Sequence, residues 1–344
     1  MVPILEPMTT IQDVARAAGV STATVSRVLS RPGLVAEPTR VKVVAAVENL
    51  RYSPNVAAKM LRTLRTEKIL VTVPDISNPF FGQVIRGVEE AAYAAGYSVL
   101  LGDTRHQPER EEQYGDMLRR KEADGLIFLG HRLPDSLRLM LSNLGPRTPI
   151  VNGCEFSPDL GVSSAHIDNA AAAAEAMEHL YQLGHRRIGV ITGELGSPIS
   201  RDRLTGVNAA AERQNATAAL QVATGDFSIA SGLEQTSRLL ESAPRPTALF
   251  CFSDEMAMGA LEAFRRHGLR CPRDVSLIGF DDIRFAQYLD PPLTTVRQPT
   301  DQIGHEVVRL LLDILGGHAE TLQRVTLPHL LISRASTAPA QRKG

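Results

Sequence analysis

The chain has 344 residues, of which 43% are hydrophobic, and a formal net charge of -1. This length is too great for one compact domain and predicts about two or three. The chain opens MVPILEPM, without a basic and then apolar leader, and nowhere do about 18 apolar residues run together. We therefore expect a cytoplasmic protein without a membrane span. Met8 precedes the first helical pattern so closely that it is an alternative start, which leaves residues 1–7 open.

The charge is distributed unevenly along the chain. Residues 9–66 contain nine Lys and Arg residues against three acidic residues, a net charge of +6, so the remaining residues carry -7. Such asymmetry is typical of a basic nucleic-acid-binding module joined to an acidic body. A basic run alone is also typical of a solvated surface, so the charge needs support from a motif.

The first helical pattern is short and clearly bounded. Apolar residues at 11, 14, 15 and 18 form one stripe, and Thr10 with Asp13 resembles a capping box. Gly19 supplies a tight turn, after which Ser21 can cap a second helix. The pattern predicts a helix, a short turn and a second helix.

The second helix has two contrasting sides. On a helical wheel Val25, Val28 and Leu29 lie together, opposite a small, hydroxylated side that carries Arg27. Hydroxyls donate to phosphates, and an Arg can pair with guanine in the major groove. This side predicts a helix that reads DNA. The alternative is a three-helix bundle whose surface is rich in Ser and Thr.

A third helix and a separate short one follow. The apolar positions 43, 47 and 50 predict the third helix, and Pro54 can begin another in SPNVAAKMLRTLRT. A helix of about ten residues is marginal in water, so we expect it to need a partner.

Two of these segments carry a family resemblance. TTIQDVARAAGVSTATVSRVLS and YSPNVAAKMLR resemble the LacI/GalR family of bacterial transcription regulators, and the similarity runs through nearly the whole chain. It implies an all-α helix-turn-helix DNA-binding domain at 9–53 and a hinge helix at 54–66, with Leu61 wedged into the minor groove. Ala36 departs from the family, where a Ser cap is common. The resemblance assigns base edges to Thr22, Ala23 and Arg27, phosphates to Ser21, Thr24 and Ser26, and further DNA contacts to Thr10, Asn55, Ala58 and Lys59.

After residue 67 the pattern changes to β-branched runs that alternate with helical segments. The runs are ILVTV, SVLLGD, GLIFLG, PIVNG, RIGVITG, TALFCFSD and VSLIGFDD, and they predict parallel sheets built from βαβ units. Several end in Asp, which is typical of a helix cap but also suits recognition of hydroxyl groups at the carboxyl ends of strands.

Further motifs extend the resemblance to this half of the chain. DISNPFFGQVIRGVE, SRDRLTGV, GDFS, IGFDD, HIDN and CFSDEMAMGAL resemble ligand-binding segments of the family. They imply a two-lobed, periplasmic-binding-protein-like effector domain at 67–338, with lobe crossings near residues 167, 297 and 327. Core packing is the alternative role for the phenylalanines. The resemblance assigns ligand contacts to Phe80, Phe81, Asp168, Ser197, Arg203, Phe227, Asp254 and Asp281.

No motif predicts catalysis. The sequence has no GxGxxG after a strand pattern and no GxxxxGK[ST], and HEVVR at His305 is not HExxH. The three cysteines are too far apart for a paired metal or redox motif. His166 near Asp168 is interpreted as structural, and Ser200-Arg201-Asp202 is not a triad. We expect neither an enzyme nor a bound metal or cofactor.

The expected function is a ligand-responsive repressor that binds a palindromic operator as a homodimer, since two-fold sites imply a two-fold protein. The C-terminal sequence lacks the leucine heptads of a tetramer. TVPDISNPFF, LLGDTRHQ, GHRLP and EFSPDL are most similar to a cytidine-responsive branch of the family, which implies a nucleoside effector. A sugar or a purine base is the alternative effector. A transport receptor and a sugar enzyme with a DNA-binding head are the alternative classes of protein. The operator and the sign of the effector's action stay open, with release from DNA favoured by the resemblance.

Overall fold

The computed structural model describes residues 9–53 and 64–341, which belong to two compact units that divide between Thr66 and Glu67. Within these ranges no helix is both long and apolar enough to cross a membrane.

The first unit is a small helical domain whose helices are capped as the sequence predicts. Thr10 and Asp13 form the capping box, and Gly19 adopts a left-handed φ of 66° that ends the first helix. The Ser21 side chain accepts a hydrogen bond from the Thr24 backbone N–H at 3.1 Å and starts the second helix. Ala36 precedes the third helix without a side-chain cap. The helices are α1 (Ile11–Ala18), α2 (Thr22–Ser30) and α3 (Glu37–Asn49).

One apolar cluster holds this domain together. Val14, Val25 and Val43 are fully buried, one from each helix, and they pack with smaller residues of the same helices. Burying a valine side chain contributes roughly 1.5–3 kcal/mol, so these three residues stabilise the packing of the three helices.

The second unit contains two six-stranded sheets that share one topology. The strand order is β11-β5-β4-β3-β1-β2 in the first and β12-β10-β9-β8-β6-β7 in the second. The paired strands run parallel except β10 with β12. The strands are β1 (Lys68–Val73), β2 (Ser98–Asp103), β3 (Gly125–Phe128), β4 (Ile150–Gly153), β5 (Ser163–Ile167), β6 (Ile188–Thr192), β7 (Leu220–Thr224), β8 (Ala248–Cys251), β9 (Ser276–Asp281), β10 (Thr294–Arg297), β11 (Arg324–Leu327) and β12 (Leu330–Ile332).

Helices connect the parallel strands, and each sheet has its own core. The first lobe is built around β1 to β5 and β11, and the second around β6 to β10 and β12. The chain crosses between the lobes after β5, after β10 and after β11. This is the predicted two-lobed α/β architecture with parallel sheets. The helices are α4 (Pro79–Ala94), α5 (Pro108–Arg119), α6 (Asp135–Leu144), α7 (Asn169–Gln182), α8 (Pro198–Arg213), α9 (Ile229–Glu241), α10 (Asp254–Arg266) and α11 (Thr300–Leu315).

Candidate nucleic-acid interface and ligand cavity

The helix α2 separates its residues into a buried and an open side. Val25 and Val28 are buried, whereas Leu29, predicted on the buried side, is 38% exposed at its edge. The predicted DNA-facing residues of this helix and its cap are exposed or half-buried: Ser21, Thr22, Ala23, Thr24, Ser26 and Arg27.

The polar groups of this open side differ in what they already contact. Among the described residues, no acceptor pairs with the Arg27 guanidinium. The Ser21 hydroxyl lies 2.9 Å from the Thr24 hydroxyl, and the Thr10 hydroxyl donates to Asp13 Oδ2 at 2.6 Å. An unpaired guanidinium beside small side chains suits close approach to a groove. The predicted contacts Asn55, Ala58, Lys59 and Leu61 lie outside the described residues.

A cavity of about 560 Å³ lies between the two lobes of the second unit. Its wall comes from segments that follow the carboxyl ends of strands in both sheets, the position expected for ligands in α/β folds. Of the predicted ligand contacts, the structure brings six to this wall: Phe80, Phe81, Ser197, Arg203, Phe227 and Asp281.

The aromatic part of the wall comes from both lobes. The Phe80 and Phe81 rings lie 5.3 Å apart, edge to face, at the start of α4, and they also pack in the first lobe's core. Phe227 adopts a φ of 69° between β7 and α9. A Cβ atom on Gly193 would lie 2.0 Å from the Phe227 ring, so this glycine makes room for the ring. These rings therefore line the cavity and pack in the protein at once.

Arg203 lines the cavity and is fixed by several contacts with the protein. Its side chain is 3% exposed, its Nε donates to Asn169 Oδ1 at 2.9 Å, and its guanidinium carbon lies 3.5 Å from the centre of the Phe280 ring. Nη2 approaches Asp281 Oδ1 to 3.9 Å. Burial lowers the pKa of Arg203 to about 10, and the nearby Asp281 opposes that shift.

Asp281 is the carboxylate best placed to recognise a hydroxyl group. It accepts a hydrogen bond from Gln298 Nε2 at 2.8 Å. Burial raises the pKa of Asp281 to about 7, against the opposing effect of Arg203. A carboxylate held in this way can accept hydrogen bonds from a polyol, whereas its protonated form offers less.

Two predicted ligand residues lie away from the cavity wall. Asp254 is fully buried and accepts hydrogen bonds from Thr295 Oγ1 at 2.6 Å and the Ile283 backbone N–H at 2.8 Å. Asp168 is exposed and caps α7 by accepting from the Ala171 backbone N–H at 2.9 Å. Both follow strands, but one carboxylate fixes the chain after β9 and the other begins a helix. Neither residue lines the cavity in this structure, and their contact with a ligand stays a prediction.

Several polar residues of the cavity wall were not predicted from the sequence. Ser197 was expected there, but its partner Glu155 was not: Ser197 Oγ donates to Glu155 Oε2 at 3.2 Å, from the second lobe to the first. His131 Nδ1 lies 3.0 Å from the same oxygen. Glu255 also lines the cavity. Glu155 follows β4 and Glu255 follows β8, so the strand-end signal that marked the Asp residues could have found both.

Within the described ranges, no group of His, Cys, Asp and Glu side chains is arranged to hold a metal ion.

Comparison with known proteins places both units in one family. Residues 10–55 match bacterial regulatory proteins of the lacI family, and residues 177–337 match the periplasmic binding protein-like domain. The repressor CytR of Escherichia coli strain K12 is 42% identical over 334 residues, covering 96% of this chain and 97% of CytR. The chain belongs to the LacI family.

Solved LacI-family structures agree with this assignment. The Lac repressor dimer bound to operator and an anti-inducer is 30% identical, covers 96% of this chain and all of its own, and has a TM-score of 0.86. The regulator CelR in complex with cellobiose is 32% identical, covers 95% of this chain and 99% of its own, and has a TM-score of 0.72. The chain is accordingly a DNA-binding transcription regulator with a ligand-binding domain, and its relatives are regulators rather than enzymes.

Proposed function

We propose that the protein is a homodimeric repressor that binds a palindromic operator and loses affinity for it when a nucleoside occupies the cavity between the lobes. The observation that carries the nucleoside proposal is the pairing of aromatic rings with buried polar groups on one wall. Phe80, Phe81 and Phe227 offer faces for a base, and Arg203 with Asp281 offers partners for ribose hydroxyls.

The size of the cavity fits this class of ligand. Pockets for small molecules usually have volumes of about 300–1,000 Å³, and this one has about 560 Å³. Ser197 and Ile199 line the side where the edge of a base would lie, and the Glu155 carboxylate behind Ser197 adds an acceptor. The cavity wall therefore offers aromatic rings for the base and hydrogen-bonding groups for the base edge and the ribose.

The proposed DNA-binding mode uses the open side of α2. Thr22, Ala23 and Arg27 would contact base edges, while the hydroxyls of the cap and first turns would contact phosphates. The similarity to a Lac repressor dimer bound to operator supports a dimer that places two such helices on two half-sites. The further proposed DNA contacts are Thr10 in the helix-turn-helix domain and Asn55, Ala58, Lys59 and Leu61 in the hinge.

The coupling between ligand and DNA is proposed to act through the hinge, residues 54–66. A helix of this length gains stability only when DNA and a second copy supply contacts. Closure of the lobes on the effector would change the balance between the folded and unfolded hinge, and operator affinity would change with it.

Selection of bound sequences from random duplexes, with and without a panel of nucleosides, tests the regulator. Enrichment of a palindrome that a nucleoside reduces is expected. A protein that binds ligand but enriches no sequence would instead be a solute receptor. A turnover assay with candidate sugars tests the enzyme alternative.

Calorimetry distinguishes the effector classes. Heat with cytidine or adenosine, and none with hexoses or disaccharides, is expected. Because CelR was solved with cellobiose, a sugar is the specific alternative, and a purine base is the other. Heat with a sugar alone would contradict the nucleoside proposal.

We expect Leu61→Ala to weaken binding to the selected operator far more than to unrelated duplex DNA. A side chain that wedges between base steps contributes only where the DNA is kinked. Binding to both duplexes is measured by fluorescence anisotropy at one salt concentration. Leu139→Ala is the control, because Leu139 is 68% exposed on α6 of the larger unit and is not a proposed DNA contact. Equal losses on both duplexes would contradict the wedge.

A further inference from the structure

The wall of the cavity is strongly acidic. Six carboxylates line it, each at or just after the carboxyl end of a strand, and no lysine is present among the described lining residues. They are Asp75, Glu155, Glu194, Asp226, Glu255 and Asp281.

The Arg side chain and one of the His side chains on this wall already contact acceptors of the protein. The Arg203 guanidinium donates to Asn169 Oδ1 and to the Phe252 carbonyl, and it lies beside Asp281. His131 Nδ1 lies against Glu155. Among the described residues only the His106 ring lines the cavity without such a partner. An anion entering the cavity would meet carboxylates without a free cation to balance them.

Two of the carboxylates lie on opposite lobes and have acceptor capacity to spare. Asp75 of the first lobe accepts from the Ser77 backbone N–H at 2.8 Å and the Ser77 hydroxyl at 2.6 Å. Glu255 of the second lobe accepts no hydrogen bond from any described residue, and it lines the same cavity. Both carboxylates line the same cavity, one from each lobe. The partly buried position of Glu255 and the charge of Asp75 raise the pKa of Glu255.

A buried acceptor gives a second, independent indication of the ligand. Glu155 is 7% exposed, and Oε2 takes both of its contacts, from Ser197 and His131. Its Oε1 accepts no hydrogen bond from the described residues. Because Oε1 belongs to a residue that lines the cavity, it is available to accept a hydrogen bond from an N–H or O–H group of the occupant.

We propose that the cavity selects an uncharged effector rich in hydrogen-bond donors and rejects the phosphorylated form of the same compound, with Glu255 as the specificity-determining residue. The inference rests on the proposed role of the cavity in effector binding. A donor group placed between Asp75 and Glu255 relieves their repulsion when the lobes close. A phosphate placed there adds to the repulsion.

The test compares each binding nucleoside with its 5′-monophosphate by calorimetry on the full-length protein. We expect the monophosphate to bind at least about 100-fold more weakly, because like charges in a desolvated site cost several kcal/mol. Glu255→Gln should reduce this ratio by about tenfold, since it removes one of the opposing charges.

Glu241→Gln is the matched control. It removes the same charge from the same lobe at an exposed position of α9 that does not line the cavity. It should leave the ratio unchanged, and thermal melting checks that both variants fold. A monophosphate that binds within about threefold of its nucleoside, or a ratio unchanged in folded Glu255→Gln, would overturn the proposal.

The test also separates this inference from the nucleoside assignment. If a hexose binds and nucleosides do not, the nucleoside assignment fails, and the comparison is made between that hexose and its 6-phosphate. The same 100-fold gap would then support the charge selection, and its absence would overturn it.

Discussion

Asp281 shows how burial sets the chemistry of a single residue. It lies against Arg203, Gln298 and Cys154, with Glu255 on the same wall, and its pKa is raised to about 7. An isolated aspartate would be ionised at neutral pH, but this one is divided between two forms. An effector that hydrogen-bonds to Asp281 would therefore meet a group whose charge changes within the physiological pH range.

We expect effector affinity to rise between about pH 6 and pH 8, with a midpoint near 7. The sign follows from the raised pKa: below the midpoint Asp281 is a neutral acid, and above it the carboxylate accepts hydrogen bonds from hydroxyl donors. Calorimetric titrations across this range measure the step. Asp281→Asn should bind weakly and without the step. If the step survives in that variant, the assignment to Asp281 is wrong.

The sequence predicted which residues lie at the cavity only where a recognisable segment carries them. The phenylalanines of the wall and Arg203 lie within recognisable segments, and the structure brings them to one cavity. The contact between Glu155 and Ser197 joins two lobes and residues 42 positions apart. No local pattern carries such a contact, so Glu155 was missed.

At the scale of elements, pairs of helices pack through glycines. A Cβ atom on Gly206 of α8 would lie 2.0 Å from the Ala170 carbonyl oxygen of α7. The same approach occurs between α4 and α11, where a Cβ atom on Gly304 would lie 2.6 Å from the Val84 carbonyl oxygen. The α7–α8 contact also sets the distance from Asn169 to Arg203, because these two helices carry the two residues.

We expect Gly206→Ala to lower the free energy of unfolding by about 1–3 kcal/mol, since overpacking against a backbone carbonyl forces the helices apart. Effector affinity should fall as well, because Arg203 loses the support of Asn169. Thermal melting and calorimetry measure the two effects. Gly82→Ala in α4 is the control: it lies on a helix with no atom within 4 Å of the added Cβ. It should be neutral or stabilising by about 1 kcal/mol. Equal effects of the two substitutions would contradict the role of close packing.

Strands were predictable where they form apolar runs. β1, β3 and β8 are almost entirely buried and were expected from their β-branched and apolar letters. β5 is fully buried but reads SSAHI, and β7 is a half-exposed edge strand that reads LQVAT. Polar letters in a buried strand and a mixed pattern at a sheet edge both lack the signal of an apolar run. The strands that sequence reasoning missed are of these kinds or are the short strands near the lobe crossings.

At the scale of the whole molecule, the two parts of the chain have opposite net charges. Residues 9–66 carry +6 and the rest of the chain carries -7, with an acidic cavity wall inside the larger unit. The positive charge of residues 9–66 attracts DNA phosphates, and the negative charge of the rest of the chain repels them. This separation of charge supports the proposal that the small domain contacts DNA and the larger unit binds the effector.

This arrangement makes a quantitative prediction about linkage. If a nucleoside weakens operator binding by some factor, saturating operator DNA must weaken nucleoside binding by the same factor, which is typically about 5–150-fold. Anisotropy measures the first factor and calorimetry on the protein–operator complex measures the second. Asp281→Asn should need a higher nucleoside concentration to change DNA affinity, because this variant is expected to bind the effector weakly. Arg27→Ala should weaken operator binding and leave the factor unchanged, because Arg27 is expected to contact DNA and not the effector. Operator affinity that does not change at saturating nucleoside would contradict the proposed coupling.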